Sequence, residues 1–293
     1  MESNEIVVSI VIPAYNEQEA IEPVLDEIIA TMEPLGLVYE IIVVDDGSSD
    51  GTVERCREHE RVQVVSHGYN RGTGAARTTG VRAASGGYIV MLDADHTYPA
   101  DAIPALLDEM EHADMVIGAR DREAGTVRWL REPAKNFIRA LASYMTESEI
   151  PDLNSGMRAI KRDLVMRFLP ILPTSHSWVS TITMAALSSG YTVRWIPISY
   201  HQRIGRSTFH PIKDTYNYLT LVVRTIMYFN PLRLFLPLSL VILMLGLGKG
   251  VSDVIRFNFS IPASTVITVL AGIQLGAIGL LADLIVKVGQ LKE

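Results

Sequence analysis

Two acids one residue apart, Asp93 and Asp95, close the run Tyr88-Ile-Val-Met-Leu92 and are followed by His96, Thr97 and the turn-forming Pro99. Paired carboxylates at that spacing suit a hard cation and the oxygens of a phosphate. The apolar residues after Gly86-Gly87 read as a strand buried on both faces, and on an extended chain Asp93 and Asp95 point the same way. Such a strand delivers its acids to the C-terminal edge of a sheet, where open α/β sheets bind ligands. So short a pattern also arises at ordinary strand-to-loop junctions, so its neighbours decide the reading. His96 suits either a metal ligand or a structural hydrogen bonder.

The elements around these acids repeat one theme. A β-rich run over residues 6–12 stops at Pro13 and leads into Ala14-Tyr15-Asn16-Glu17, and residues 19–31 then show helical periodicity. A second strand over 40–44 enters Asp45-Asp46-Gly-Ser-Ser-Asp50-Gly-Thr52, where Asp50 can cap the next helix. A third covers 62–65, and Gly72-Thr-Gly-Ala-Ala-Arg77 opens a helix to about residue 84. After the Asp93 strand come a helix over about 100–111 and a strand at 115–117 ending in a Gly118-Ala-Arg120 loop. This alternation predicts an α/β, doubly wound and mainly parallel sheet with a nucleotide-type ligand at its C-terminal edge. The glycine run at 72 lacks the third small residue of the dinucleotide fingerprint and does not follow the first strand. Gly-x-x-x-x-Gly-Lys-Ser/Thr is absent too, so both familiar nucleotide motifs fall.

Further along, Arg128, Arg131, Lys135 and Arg139 recur every three to four residues near 128–145, a basic amphipathic helix suited to solvent or to anionic headgroups. A polar turn from Asp152 to Arg158 enters a short strand, an apolar helix covers about 177–189, and 191–200 reads as a strand pair broken at Pro197. A basic loop holds Arg203 and Arg206, and 208–231 is aromatic and amphipathic, as interfacial segments are. Two apolar runs, about 232–250 and 262–285, are long enough to cross a bilayer, although a buried hairpin in a soluble protein passes the same test. Arg224, Arg233, Lys287 and Lys292 at their flanks favour a cytoplasmic head, and Lys249 and Arg256 in the connection count against it. The 293 residues carry a net charge of −7, which argues against nucleic acid as the main partner. One cysteine, Cys56, excludes an intramolecular disulfide, and the acidic start shows no cleavable secretion signal.

Taken in order, Pro13-Ala-Tyr-Asn-Glu17, Asp45-Asp-Gly-Ser-Ser-Asp-Gly-Thr52, Gly72-Thr-Gly-Ala-Ala-Arg77, Asp93-Ala-Asp95 and Gly118-Ala-Arg120 resemble the family 2 glycosyltransferases of GT-A fold. Within them the chain looks most like the polyprenyl-phosphate group that includes dolichyl-phosphate mannose synthase. The resemblance runs over about residues 6–207 and implies a GT-A catalytic domain there, with the two spans as a C-terminal hairpin. It implies that Pro13, Ala14, Tyr15, Glu17, Asp45, Asp46, Gly72, Arg77 and Asp93 bind the nucleotide. Asp93 and Asp95, with the position of Thr97, would hold Mg2+ or Mn2+. Arg120 would meet phosphate during catalysis, and Arg131, Lys135, Arg203 and Arg206 would receive a lipid phosphate. Members often carry Gln where this chain has Thr97, which leaves the third metal ligand and the sugar open.

The implied reaction is inverting transfer of one sugar from a UDP- or GDP-linked donor to undecaprenyl or dolichyl phosphate at the cytoplasmic membrane face. Leaving-group charge builds on a diphosphate, which a cation and arginines stabilise. A phosphate acceptor is largely dianionic at neutral pH and needs no strong base. A hydroxyl acceptor, in glycolipid or polysaccharide synthesis, would need one, and Asp152 is the candidate, with capping as its structural alternative. Processive synthases usually show Gln-x-x-Arg-Trp before their spans, which is missing here. The third alternative is a non-catalytic, membrane-tethered nucleotide-sugar scaffold. A homo-oligomer fits any of the three.

Overall fold

The computed structural model describes residues 6–120, 140, 142–144, 146–175, 177–201, 223, 227, 230–256 and 261–290. It divides into two units, residues 1–221 and 222–293.

In the first unit, strands β1 (Val8–Ala14), β2 (Tyr39–Asp45), β3 (Val62–Ser66), β4 (Tyr88–Met91), β5 (Met115–Arg120), β6 (Arg158–Lys161) and β7 (Val193–Ile198) form one sheet. Their order is β3-β2-β1-β4-β6-β5-β7. Neighbours are parallel except β6, which runs against both β4 and β5. All seven residues of β1 are buried, the signature of a central strand covered on both faces. Pro13 is tolerated there because its missing N–H falls past the last β1–β4 pair, Val11 with Met91.

The helices follow from spacing. In α1 (Ile21–Met32), Ile21, Val24, Leu25, Ile28 and Met32 make one buried stripe. That stripe meets Ile10, Ile12, Ile41 and Val43 in the main core, where each buried side chain contributes about 1.5–3 kcal/mol. The chain continues through α2 (Thr52–Arg57), α3 (Thr73–Ala83), α4 (Ile103–Glu109), α5 (Arg162–Phe168) and α6 (Trp178–Ser188). Gly80 lets α3 lie directly on Val11 of β1, whose side chain a Cβ would strike.

Three local expectations change. Residues 118–120 belong to β5 rather than to a loop, because Gly118 to Arg120 pair with Ile196 to Ile198 of β7. Residues 191–200 contain one strand, not a broken pair; β7 is an edge strand in which Pro197 stands opposite Ala119, and an edge accepts a residue without an N–H. Helix α5, directly after β6, has no counterpart in the sequence reading.

In the second unit, α7 (Leu232–Arg256) and α8 (Ala263–Gln290) form a hairpin. Their 25 and 28 residues correspond to roughly 37 and 42 Å at about 1.5 Å per residue, more than the ~30 Å of a hydrocarbon core. Glycines bring the helices together. A Cβ on Gly272 would lie 2.7 Å from Leu243 Cγ, one on Gly279 2.5 Å from Phe235 Cβ, and Ser239 donates to the Gly272 carbonyl at 2.8 Å. Apolar side chains such as Met244 and Ile285 point outward, more than 70% exposed, as lipid-facing residues do. Near the connection, Lys249 pairs with Asp253 at 2.7 Å and donates to Ser264 and Thr265.

Candidate active site

The C-terminal ends of β2, β1 and β4, and beyond the reversed β6 that of β5, share one edge of the sheet, which carries Asp45, Ala14, Leu92 and Arg120. The loops after β1 and β2 are zipped together. Asn16 accepts the Ser49 amide at 2.8 Å, Ser48 Oγ accepts the Asn16 amide at 2.9 Å, and Thr52 Oγ1 accepts the Glu17 amide at 2.9 Å. Asp50 accepts the Thr52 amide at 3.1 Å, a local turn bond and not the expected cap, because the N-cap position of α2 is Gly51. Asn16 holds a left-handed backbone (φ 54°), a sparsely populated conformation of the kind that gathers at functional sites. Tyr15 beside it is 45% exposed, whereas Pro13 and Ala14 are buried.

The two acids of the Asp45-Asp46 pair divide the work. Asp45 accepts the Ser48 amide at 3.0 Å, and its charge, after burial, helps push the Cys56 thiol up to about 12, which makes that cysteine inert. Asp46 turns inward. Its carboxylate takes the Gly72 amide at 2.7 Å, the Arg71 amide at 2.9 Å and His67 Nδ1 at 2.7 Å, and His67 reaches Thr79 at 2.9 Å through Nε2. Asp46 thus fastens the loop that enters α3. The glycines at the start of α3 serve packing: a Cβ on Gly72 would lie 2.5 Å from the Thr174 carbonyl, and Gly74 packs on Pro173 to Ser175. Gly72 therefore abuts backbone of its own chain.

Asp93 and Asp95 do not lie on an extended strand. β4 ends at Met91, and a turn through His96 (φ 59°) follows. Each acid has its own support. Arg77, 3% exposed on α3, donates to Asp93 at 2.5 Å, so it acts behind the carboxylate. Thr97, fully buried, gives its hydroxyl to Asp95 at 2.5 Å and its amide at 3.2 Å. The position expected as a third metal ligand thus gives both its hydroxyl and its amide to Asp95 and orients that carboxylate. His96 turns to Glu27 on α1 at 2.8 Å and lies 6.1 Å from the His201 ring, a structural role.

On the other side of Asp93 the chain returns through residues 152–157. A Cβ on Gly156 would fall 2.6 Å from Asp93 Oδ2, so only glycine leaves that carboxylate its place. Tyr98, buried, accepts the Gly156 amide at 2.7 Å; burial first, helped by the Asp93 charge, lifts its hydroxyl above the usual phenol range. Tyr98 meets Tyr200 edge-on at 5.4 Å, and the Arg120 guanidinium lies 5.3 Å from the centre of the Tyr200 ring. Arg120 grips Asp152 with two bonds, Nε to Oδ2 at 2.7 Å and Nη2 to Oδ1 at 3.0 Å. Burial pushes the Asp152 carboxyl up, but the hydrogen bonds and charge of Arg120 with two backbone amides outweigh it, so the net shift is downward. A carboxylate held that way is a weak base.

Arg158 was missed by the sequence reading. It is fully buried and donates to the carbonyls of Val179, at 2.9 Å, and Ser155, and to Thr183 at 3.0 Å. Burial first, then the nearby Arg77 charge, pushes its pKa down to about 9, so it stays charged at neutral pH. It ties the Ser155-Gly156 turn to α6. The signal was Gly156-Met-Arg158, a glycine and a cation bracketing a strand start, which resembles any polar turn until Asp93 is placed against it. Arg131, Lys135, Arg203 and Arg206 lie outside the described residues.

Among the described residues no three His, Cys, Asp or Glu side chains gather to hold a metal. Asp93 and Asp95, two hard oxygen donors held from behind, match a cation such as Mg2+ or Mn2+ that completes its shell with substrate phosphates.

Known proteins place this geometry. Residues 9–169 match the model of Glycosyl transferase family 2, and residues 230–288 match that of the GtrB C-terminal hairpin. Undecaprenyl-phosphate 4-deoxy-4-formamido-L-arabinose transferase of Edwardsiella ictaluri is 29% identical over 83% of this chain and 75% of its own length. The Proteus mirabilis protein of the same name is 32% identical over 58% of this chain and 56% of its own. Among solved structures, glucosyl-3-phosphoglycerate synthase from Mycobacterium tuberculosis with phosphoglyceric acid superposes with a TM-score of 0.59 at 23% identity. That superposition covers 75% of this chain and 79% of the synthase. The same enzyme with Mn2+, uridine diphosphate and glucosyl-3-phosphoglycerate gives 0.57 at 24%, over 75% and 78%. The sheet is thus that of the GT-A transferases, and, with more than half its length matched to that family's model, the chain belongs to glycosyl transferase family 2.

Proposed function

We propose that the chain transfers one sugar from a nucleotide-sugar to a polyprenyl phosphate at the cytoplasmic membrane face. The observation that carries the acceptor class is the Arg120–Asp152 pair: the candidate base is bound bidentately and held below the usual carboxylate range. A hydroxyl acceptor needs a proton removed, and a phosphate acceptor does not. The C-terminal hairpin and the undecaprenyl-phosphate transferases among its relatives support the same lipid class.

In this reading Tyr15, Glu17 and Asp45 line the nucleotide pocket, while Asp46, Gly72 and Arg77 hold its walls. Asp93 and Asp95 would hold a divalent cation, which supplies positive charge to the departing diphosphate. Gly156 leaves room for Asp93, and Thr97 fixes the direction of Asp95. Arg120 lends charge on the acceptor side, joined by Arg131, Lys135, Arg203 and Arg206. The basic flanks of the hairpin, Arg233 and Lys287 among them, support a cytoplasmic head, against the opposing vote of Lys249 and Arg256 in the connection.

The test is detergent-solubilised full-length protein with Mg2+ or Mn2+, a panel of UDP- and GDP-sugars and undecaprenyl or dolichyl phosphate, scored for lipid-linked sugar by mass. One donor should give product, and Asp95→Ala or excess chelator should abolish it. Transfer only to hydroxyl acceptors would overturn the phosphate assignment.

A further inference from the structure

Helix α8 carries one amide in the middle of an otherwise apolar stretch. Gln274 lies 11 positions after Ala263 and 14 before Val288, close to the centre of the long apolar helix. Its side chain is exposed. Two residues to either side, Gly272 and Gly276 form the seam against α7: a Cβ on Gly272 would meet Leu243, and one on Gly276 would lie 2.8 Å from Ser239 Oγ. Two residues are about 200° of helix, so Gln274 points away from α7. A polar amide in hydrocarbon with no partner costs several kcal/mol, and a glutamine at mid-span is too short to reach the headgroups. Something outside this hairpin must meet it.

The neighbours on that face describe the occupant. Ala271 and Ala277, three positions to either side, are exposed and small, so another helix can approach closely at the level of Gln274. Ile267, Leu270, Ile278 and Leu281 extend the face as an apolar strip, exposed by 50% or more. Glutamine has both donors and an acceptor, so two copies facing each other satisfy one another. All copies insert with the same orientation, and a symmetry axis along the membrane normal then brings position 274 of one against position 274 of the next.

We propose that the outer face of α8, centred on Gln274 between Ala271 and Ala277, is a self-association surface whose partner is α8 of a second copy of this chain. The inference rests on the hairpin spanning the bilayer and is independent of the sugar, the acceptor and the metal. Nothing in the transfer chemistry uses Gln274.

The wild type provides a clean background, because its single cysteine, Cys56, is buried in the head. Gln274→Cys in native membranes should form a disulfide-linked dimer under mild oxidation. Leu280→Cys, also exposed (61%) but about 120° around the helix, should not. In lipid vesicles, resonance energy transfer between labelled copies should show roughly fivefold weaker association for Gln274→Leu, the effect of about 1 kcal/mol. Gln274→Asn should restore much of it. Absence of the Gln274→Cys dimer, equal cross-linking at both positions, a cross-link to a different protein, or unchanged association in Gln274→Leu would each overturn the proposal. Alkaline extraction of the same membranes separates this from failure of the spanning reading, which would release the protein. Lipid-linked product should form at the wild-type rate in Gln274→Leu, so activity reports on the transferase assignment alone.

Discussion

Asp93 is held by groups that a reader of the sequence sees as unrelated: Arg77 on α3 and Gly156 before β6. Asp93 and Asp95 were legible because acids at a strand end are a local pattern. Their supports were not, since contacts between residues 93 and 156, or 46 and 72, are made by the fold rather than by spacing. This gives a sharp expectation for Gly156→Ala. The new methyl would press on Asp93 Oδ2 at 2.6 Å, so transfer should fall at least about tenfold, a barrier change of ~1.4 kcal/mol, while the unfolding midpoint moves little. A large loss of stability with unchanged kcat would show that Gly156 serves packing only. A second expectation concerns pH. The folded pKa of Asp152 is depressed, so its contribution to stability is full above its unfolded value, about 3.9, and is lost as pH falls through the folded value. In Arg120→Gln the burial remains and the partner is gone, so the folded pKa rises above the unfolded one. That variant should lose about 3–5 kcal/mol near neutral pH and regain stability on acidification from pH 7 toward 4, where the wild type stays flat. Thermal unfolding of both proteins from pH 3 to 7 measures the opposite slopes.

Among the elements, the strands were the easiest to read, because β1, β2 and β4 are rich in Ile and Val and close near Pro13, Asp45 and Asp93. What misled was proline and brevity. Pro197 looked like a break but lies inside β7, since an edge strand has one side without ladder bonds. Helix α5 has seven residues, too few for a periodic signal, and takes its stability from Leu164, Val165 and Phe168 against the core. The α7–α8 pair has the opposite character: its apolar length was obvious, and its glycine seam became visible only in the packed hairpin. Replacing Gly272 by leucine would drive a side chain into Leu243, whose backbone nitrogen lies 3.0 Å from the added Cβ and cannot swing aside. The hairpin should separate at that level at a cost of about 1–3 kcal/mol, read as a lower unfolding midpoint in detergent and faster protease cleavage. Gly248→Leu, at a glycine where an added Cβ meets nothing within 4 Å, is the control and should behave as wild type.

At the scale of the whole molecule, a head with the family 2 sheet and a hairpin with lipid-facing side chains make a membrane-anchored transferase. The full chain should stay with the bilayer through high salt and alkaline wash, whereas a chain ending at Asn230 should come off in salt, and fractionation by immunoblot decides between them. Release of the full chain by alkali would remove the spanning assignment. The reversed strand β6 has a consequence of another kind. Because it runs against β4 and β5, residues 121–157 depart at Arg120 from the sheet edge that carries Asp45 and Leu92 and come back to the same edge at Arg158. A stretch whose two ends are anchored on one rim can be lengthened, shortened or exchanged without rethreading a strand, and the entropy of closing it grows only slowly with length. Lineages that diverge in what they glycosylate can therefore rewrite residues 121–151 while inheriting β1 to β4 and the Asp152-to-Arg158 turn intact, and grafts exchanged between relatives at residues 120 and 152 should fold.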